Sequence, residues 1–178
     1  MKKLIAASII AQLLAGAAIA QHQLYAGQQG REIKALSTEE VNQYLSGAGM
    51  GYAKSAELNH YPGPAHVLEL ADRLKLTPEQ RASVNRLMDA HCLQARAIGA
   101  KLVESERALE TLFQSGKAEQ ATLAELVRAT TVLHGEYRLS HLDTHRQMRA
   151  LLSDEQVAQY DRLRGYAATE GSHSGMQH

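Results

Sequence analysis

Leu76-Thr77-Pro78-Glu79-Gln80 returns later in the chain as Leu152-Ser153-Asp154-Glu155-Gln156. In each copy a hydroxyl side chain can accept from the first free backbone N–H groups of a helix, while the glutamine three positions on reaches back to the N–H of the cap. This is the reciprocal arrangement of a capping box. Pro78 falls at the first helical position, where a missing N–H has no partner to lose. A looser copy, Leu36-Ser37-Thr38-Glu39-Glu40-Val41, follows the same logic. Apolar residues flank it, as Leu152 and Val157 flank the cap at Ser153, in the manner of a hydrophobic staple. Three helix starts are thus spelled out.

Beyond Thr77 the sequence becomes regular. Val84, Leu87, Met88, His91, Ala95, Ile98, Leu102, Leu109 and Leu112 keep the three-and-four spacing of one helical face, and nothing interrupts them before Gln114-Ser115-Gly116. Gly99, at a cost of about 1 kcal/mol relative to alanine, is tolerable in so long a helix. A second stripe runs through Leu123, Leu126, Leu133, Tyr137, His141, His145, Met148 and Leu151, with Gly135 as its weak point. The turn between them is short enough to force antiparallel neighbours. The fold expected is all-α: a long helical hairpin with arms of about 50 Å, flanked by short helices. Residues facing each other across a turn at Gly116 have numbers that sum to about 232, which sets His91 opposite His141 and Val84 opposite Met148.

Ahead of the hairpin, a short helix is expected after Ser37, ending near Gly47-Ala48-Gly49. Tyr52 to Leu58 can be helical again, Tyr61-Pro62-Gly63-Pro64 forces a break, and His66 to Leu74 can form another short helix. The glycines at 47, 49 and 51 have no preceding strand and no Gly-Lys-Ser/Thr ending, so they read as a loop rather than a phosphate cradle. After the second motif a helix runs from Ser153 to about Arg164. The division expected is a signal over 1–20, an N-terminal segment with short helices and Gly/Pro loops over 21–64, the hairpin domain over 65–167 and a disordered tail over 168–178.

The signal rests on Lys2 and Lys3, the apolar run Leu4 to Leu14 and the small residues Ala18-Ile19-Ala20 before Gln21. It implies a mature, exported protein in an oxidising compartment; left uncleaved, the same segment would serve as an anchor. Removing it takes two lysines from 19 basic residues, leaving 17 against 19 acidic ones. A slightly acidic chain makes nucleic acid an unfavourable partner. The absence of Trp and the single Phe point to a thin aliphatic core. Cys92, the lone cysteine, cannot close an internal disulfide. It sits mid-helix, away from the helix N-terminus that would favour a thiolate, and no serine occupies a nucleophile elbow, so catalysis is not expected.

Histidines in the apolar stripes are the unusual feature. His134, His141 and Met148 follow one another at intervals of seven, and His145 lies one turn past His141. On the facing register Met88, His91 and Cys92 come within a turn of His141 and His145. Imidazole favours Zn(II), Ni(II), Co(II) or Cu(II), and thiol and thioether groups shift preference towards Cu(I). The competing reading is hydrogen-bonded core histidines with methionine as filler. Glu57, His60 and His66 around the Pro62 turn form a second, weaker cluster, and His173, Met176 and His178 a third in the tail.

The two pentapeptides, the export signal and the long hairpin between the copies resemble the Spy/CpxP family of periplasmic stress proteins, marked by the LTxxQ motif, over about His66 to Tyr166. That resemblance implies a homodimeric cradle, a periplasmic location, and one of two roles. One is a metal-responsive envelope-stress protein read by a membrane sensor protein, with His141, His145 and Met148 as the positions most like the family's ligands; to these the facing register adds His91 and Cys92, and the cluster at the Pro62 turn adds His66. The other is an ATP-independent holdase for unfolded envelope proteins with no metal requirement.

Overall fold

A computed structural model of the chain describes residues 25–167, so the export signal and the tail cluster lie outside the described residues. Every regular element there is helical: α1 (Thr38–Ser46), α2 (Lys54–Glu57), α3 (Pro64–Glu69), α4 (Pro78–Gln114), α5 (Gln120–Leu151) and α6 (Asp154–Arg164). The 37 residues of α4 and 32 of α5 form the antiparallel hairpin, with arms of about 55 and 48 Å. Among the described residues no helix is long and apolar enough to cross a membrane.

All three capping boxes form. Ser37, Thr77 and Ser153 accept from the N–H of Glu40, Gln80 and Gln156, and each of those side chains returns to the cap's own N–H. The two glutamines do more than cap. Gln80 Nε2 donates to Gln156 Oε1 at 2.8 Å, Gln156 Nε2 donates to Gln80 Oε1 at 3.0 Å, and their remaining N–H groups reach the carbonyls of Leu151 and Leu74 at 2.9 and 3.2 Å. Each amide therefore satisfies its full donor set while bracing two helix starts against each other.

α3 begins two residues earlier than expected and ends sooner. Pro64 occupies N1 behind an extended Gly63, and the backbone leaves the helix at Leu70 before turning through Lys75 at φ 52° into the first motif.

Two cores share the hairpin. Ile33, Leu36 and Tyr44 pack on Ala95, Leu102, Val103 and Tyr137 towards the turn; Val67 and Leu74 pack with Val84, Met148, Leu152, Val157 and Tyr160 at the open end. The aliphatic core expected from composition is corrected here: Tyr137 and Tyr160 are among the largest fully buried side chains. Their hydroxyls are partnered, Tyr137 donating to Ala48 O at 2.7 Å and Tyr160 to Glu57, so burial strands no polar group.

Segment 25–64 lies against the hairpin, and Gly99 makes this possible. A Cβ at residue 99 would stand 2.1 Å from the carbonyl oxygen of Tyr44 and 2.7 Å from its carbon. Gly135 has nothing within 4 Å of the same position and helical backbone. The two glycines should answer oppositely to alanine. Gly135→Ala should raise the unfolding free energy by roughly 0.5–1 kcal/mol, whereas Gly99→Ala should lower it and expose segment 25–64 to limited proteolysis. Gln80→Ala and Gln156→Ala should each cost about 1–3 kcal/mol by orphaning the surviving amide. The double variant should cost clearly less than their sum, as read by urea unfolding of the four proteins.

Candidate functional site

Between the two cores the hairpin carries a polar layer. Val84 and Met148 belong to the open-end core, Ala95 and Tyr137 to the other, and between them His91 meets His141 with ring centroids 4.5 Å apart and planes at 73°. The facing register read from the sequence holds at this layer. Both imidazoles are enclosed, His91 at 9% and His141 at 4% exposure. Tyr52 lies nearly parallel to His141 at 6.3 Å, and Tyr137 tilts against it at 4.7 Å.

The hydrogen bonds of this layer are incomplete. Thr144 Oγ1 lies 3.0 Å from His91 Nδ1 and 2.7 Å from the carbonyl of Ser140. Nε2 of His141 is buried with no hydrogen-bond partner. Burial, followed by the charges of His91 and His145, pushes His141 down to about 4. Burial and then His145 also lower His91. Two neutral rings therefore face each other near pH 7, one of them with an unmet nitrogen. Neutral imidazole is the form that ligates a metal.

The remaining residues of the expected ligand set separate from this pair. His145 donates from Nδ1 to the carbonyl of Tyr61 at 2.8 Å and lies 3.6 Å from Glu57 Oε2. Its other edge abuts Gly63, where a Cβ would stand 3.1 Å from Nε2. His66 joins a different cluster: its Nδ1 is 3.3 Å from both Glu57 Oε1 and Tyr160 Oη, and Arg164 approaches its Nε2 at 3.5 Å. A cation already stands at that nitrogen. Met148 is wholly buried in the apolar core with Val84, and Cys92, one residue past His91, is half-buried and unbridged. Among the described residues no three His, Cys, Asp or Glu side chains converge as a ready metal cage.

Glu57 is the hub of the second cluster. It accepts from Tyr160, from Tyr166 at 3.3 Å and from the N–H of Gly63 at 3.0 Å. Burial and this carboxylate together raise the Tyr160 phenol. The weaker sequence cluster thus splits: Glu57 and His66 stay together, while His60, at φ 68°, turns outward and bonds Asp161 at 2.7 Å. His134 bonds the hydroxyl of Tyr52 at 3.0 Å rather than joining the layer.

The family profile described as LTXXQ motif family protein matches residues 65–164, more than half of the chain. The chain belongs to the LTXXQ motif family. The match spans the hairpin with both motifs and agrees with the Spy/CpxP-type resemblance of the sequence. No curated protein and no solved structure matches this LTXXQ chain. Segment 25–64, which packs on the hairpin and carries Tyr52, Glu57 and Gly63, precedes the matched region.

Sequence reasoning missed Thr144, Tyr52 and Tyr160 at these sites. Thr144 stands one turn from His141 on the stripe and was legible by spacing; the tyrosines depend on contacts between distant segments.

The depressed His141 gives a pH dependence of defined sign. Between about 6.5 and 4 the unfolded chain binds a proton that the folded chain refuses, so stability is complete above that window and is lost as pH falls through it. The loss is worth up to about 3 kcal/mol. Urea unfolding at about pH 7.5 and about pH 4.5 should show it, and His141→Leu should reduce the difference, leaving the part that the lowered His91 contributes.

Proposed function

We propose that this LTXXQ protein is a periplasmic, non-enzymatic stress protein whose hairpin seam takes up a borderline transition ion, Zn(II), Ni(II), Co(II) or Cu(II), at the His91–His141 layer. One observation carries this reading: an enclosed imidazole nitrogen of His141 lies without a partner beside a second neutral imidazole. Unmet buried polar atoms are rare in folded proteins and accumulate at functional sites. The family relationship supports the periplasmic and non-enzymatic parts. The donor set suits these ions because both groups are neutral nitrogen donors held on opposite arms.

When bound, the ion supplies a positive centre that ties the two arms together. The residues around the layer give that event a route outward. His145, one turn from His141, is held by the Tyr61 carbonyl. As a further ligand His145 would bind through Nε2 while its Nδ1–H stays on the Tyr61 carbonyl, which would couple the ion to the turn that Glu57 and Gly63 form beside α5. Segment 25–64 would then change its hold on the hairpin, a population shift that a partner protein could read.

Thermal unfolding of the mature protein in increasing Zn(II), Ni(II), Co(II) or Cu(II) tests the proposal. A site present only in the folded state gives a melting temperature that climbs with ion concentration, by about 2.7 kcal/mol of stability at a hundredfold excess over Kd. The double variant His91→Ala, His141→Ala should lose the shift, and an unshifted wild type with all four ions would refute the site.

A second reading, a metal-independent holdase, is favoured by apolar side chains left open along the arms: Leu93 at 72%, Leu139 at 64%, and Phe113, Val127 and Val132. Suppressed aggregation of a reduced client in the presence of chelator would support it.

A further inference from the structure

We infer that Thr144 is a positioning residue that fixes the tautomer of His91 and so presents its Nε2 lone pair for ligation. The inference rests on the metal reading above and adds which ring atom binds and what sets it.

The argument is one of hydrogen counting. Thr144 Oγ1 stands 2.7 Å from the carbonyl oxygen of Ser140 and 3.0 Å from His91 Nδ1. A carbonyl can only accept, so the single hydroxyl hydrogen goes to Ser140. What remains towards His91 is an oxygen lone pair, and the contact is a hydrogen bond only if Nδ1 carries the hydrogen. A neutral imidazole has one N–H, so Nε2 is then bare.

The hydroxyl's bond to its own helix is ordinary. Thr130 and Thr131 make the same i−4 bonds to Leu126 and Val127. What distinguishes Thr144 is its second partner, a buried ring from the opposite arm. His145 receives the same treatment from a backbone carbonyl, and hydrogen-bonded orientation of this kind sets the ligating nitrogen in histidine metal sites. With the hydroxyl hydrogen committed to Ser140, the Nδ1–H tautomer alone bonds Thr144, and ligation through Nε2 needs that same tautomer.

The test uses the mature full chain, with ring-nitrogen NMR of the metal-free protein and Zn(II) titration as separate readouts. In the wild type and in Thr144→Ser, His91 should be the Nδ1–H tautomer. Thr144→Val keeps the side-chain shape without the hydroxyl; there the Nε2–H form should appear, and Zn(II) affinity should fall about 10–100-fold. Thr144→Ser should hold both properties near wild type. An Nε2–H ring in the wild type overturns the inference without any variant, so a valine protein that failed to fold would not shelter it. An unchanged tautomer in Thr144→Val overturns it too, as does unchanged affinity despite an altered tautomer. A wild type that ignores Zn(II) while its tautomer still follows residue 144 removes the ligation reading and leaves the hydrogen-bond assignment standing, which separates the two failures.

Discussion

The amide pair between Gln80 and Gln156 is the constraint on which the rest of the fold depends. Each glutamine completes the cap of its own helix and at the same time bonds the other glutamine and a carbonyl from the far side. Helix starts separated by the whole hairpin are thereby fixed to one another at its open end. Once α4 and α6 begin at fixed places, the lengths of the arms and the tight turn at Gly116 leave little freedom in how α5 returns. The facing register follows, and with it the meeting of His91 and His141.

That register puts polar rings where aliphatic side chains would pack more simply. The layer separates two apolar cores, and its members are neutralised by burial rather than by salt bridges. A buried imidazole with an unmet nitrogen is unfavourable for stability.

Much of the architecture was legible in the sequence because it is written locally. Capping boxes are read within four residues, and the stripes of α4 and α5 repeat often enough to fix their faces. The register needed only the position of one glycine turn. The site was legible to the same depth: His91 opposite His141 follows from arithmetic, but the direction in which His145 points does not. It depends on the Tyr61 carbonyl, delivered by a loop far away in sequence. The surroundings of His66 were hidden for the same reason, since Arg164 and Tyr160 reach it only after α6 folds back. The tyrosine-filled core was hidden by a composition argument that counted Trp and Phe and passed over Tyr.

Residue 99 has a further consequence. Its hydrogen in place of a methyl group is what lets the backbone carbonyl of Tyr44 rest on α4. The matched family region begins only at residue 65, so segment 25–64 lies outside the part of the chain that the family profile covers. That missing carbon lets the backbone of α1 close on α4 while Ile33, Leu36 and Tyr44 bury their side chains beside it, so the grip combines a bare contact point with an apolar one.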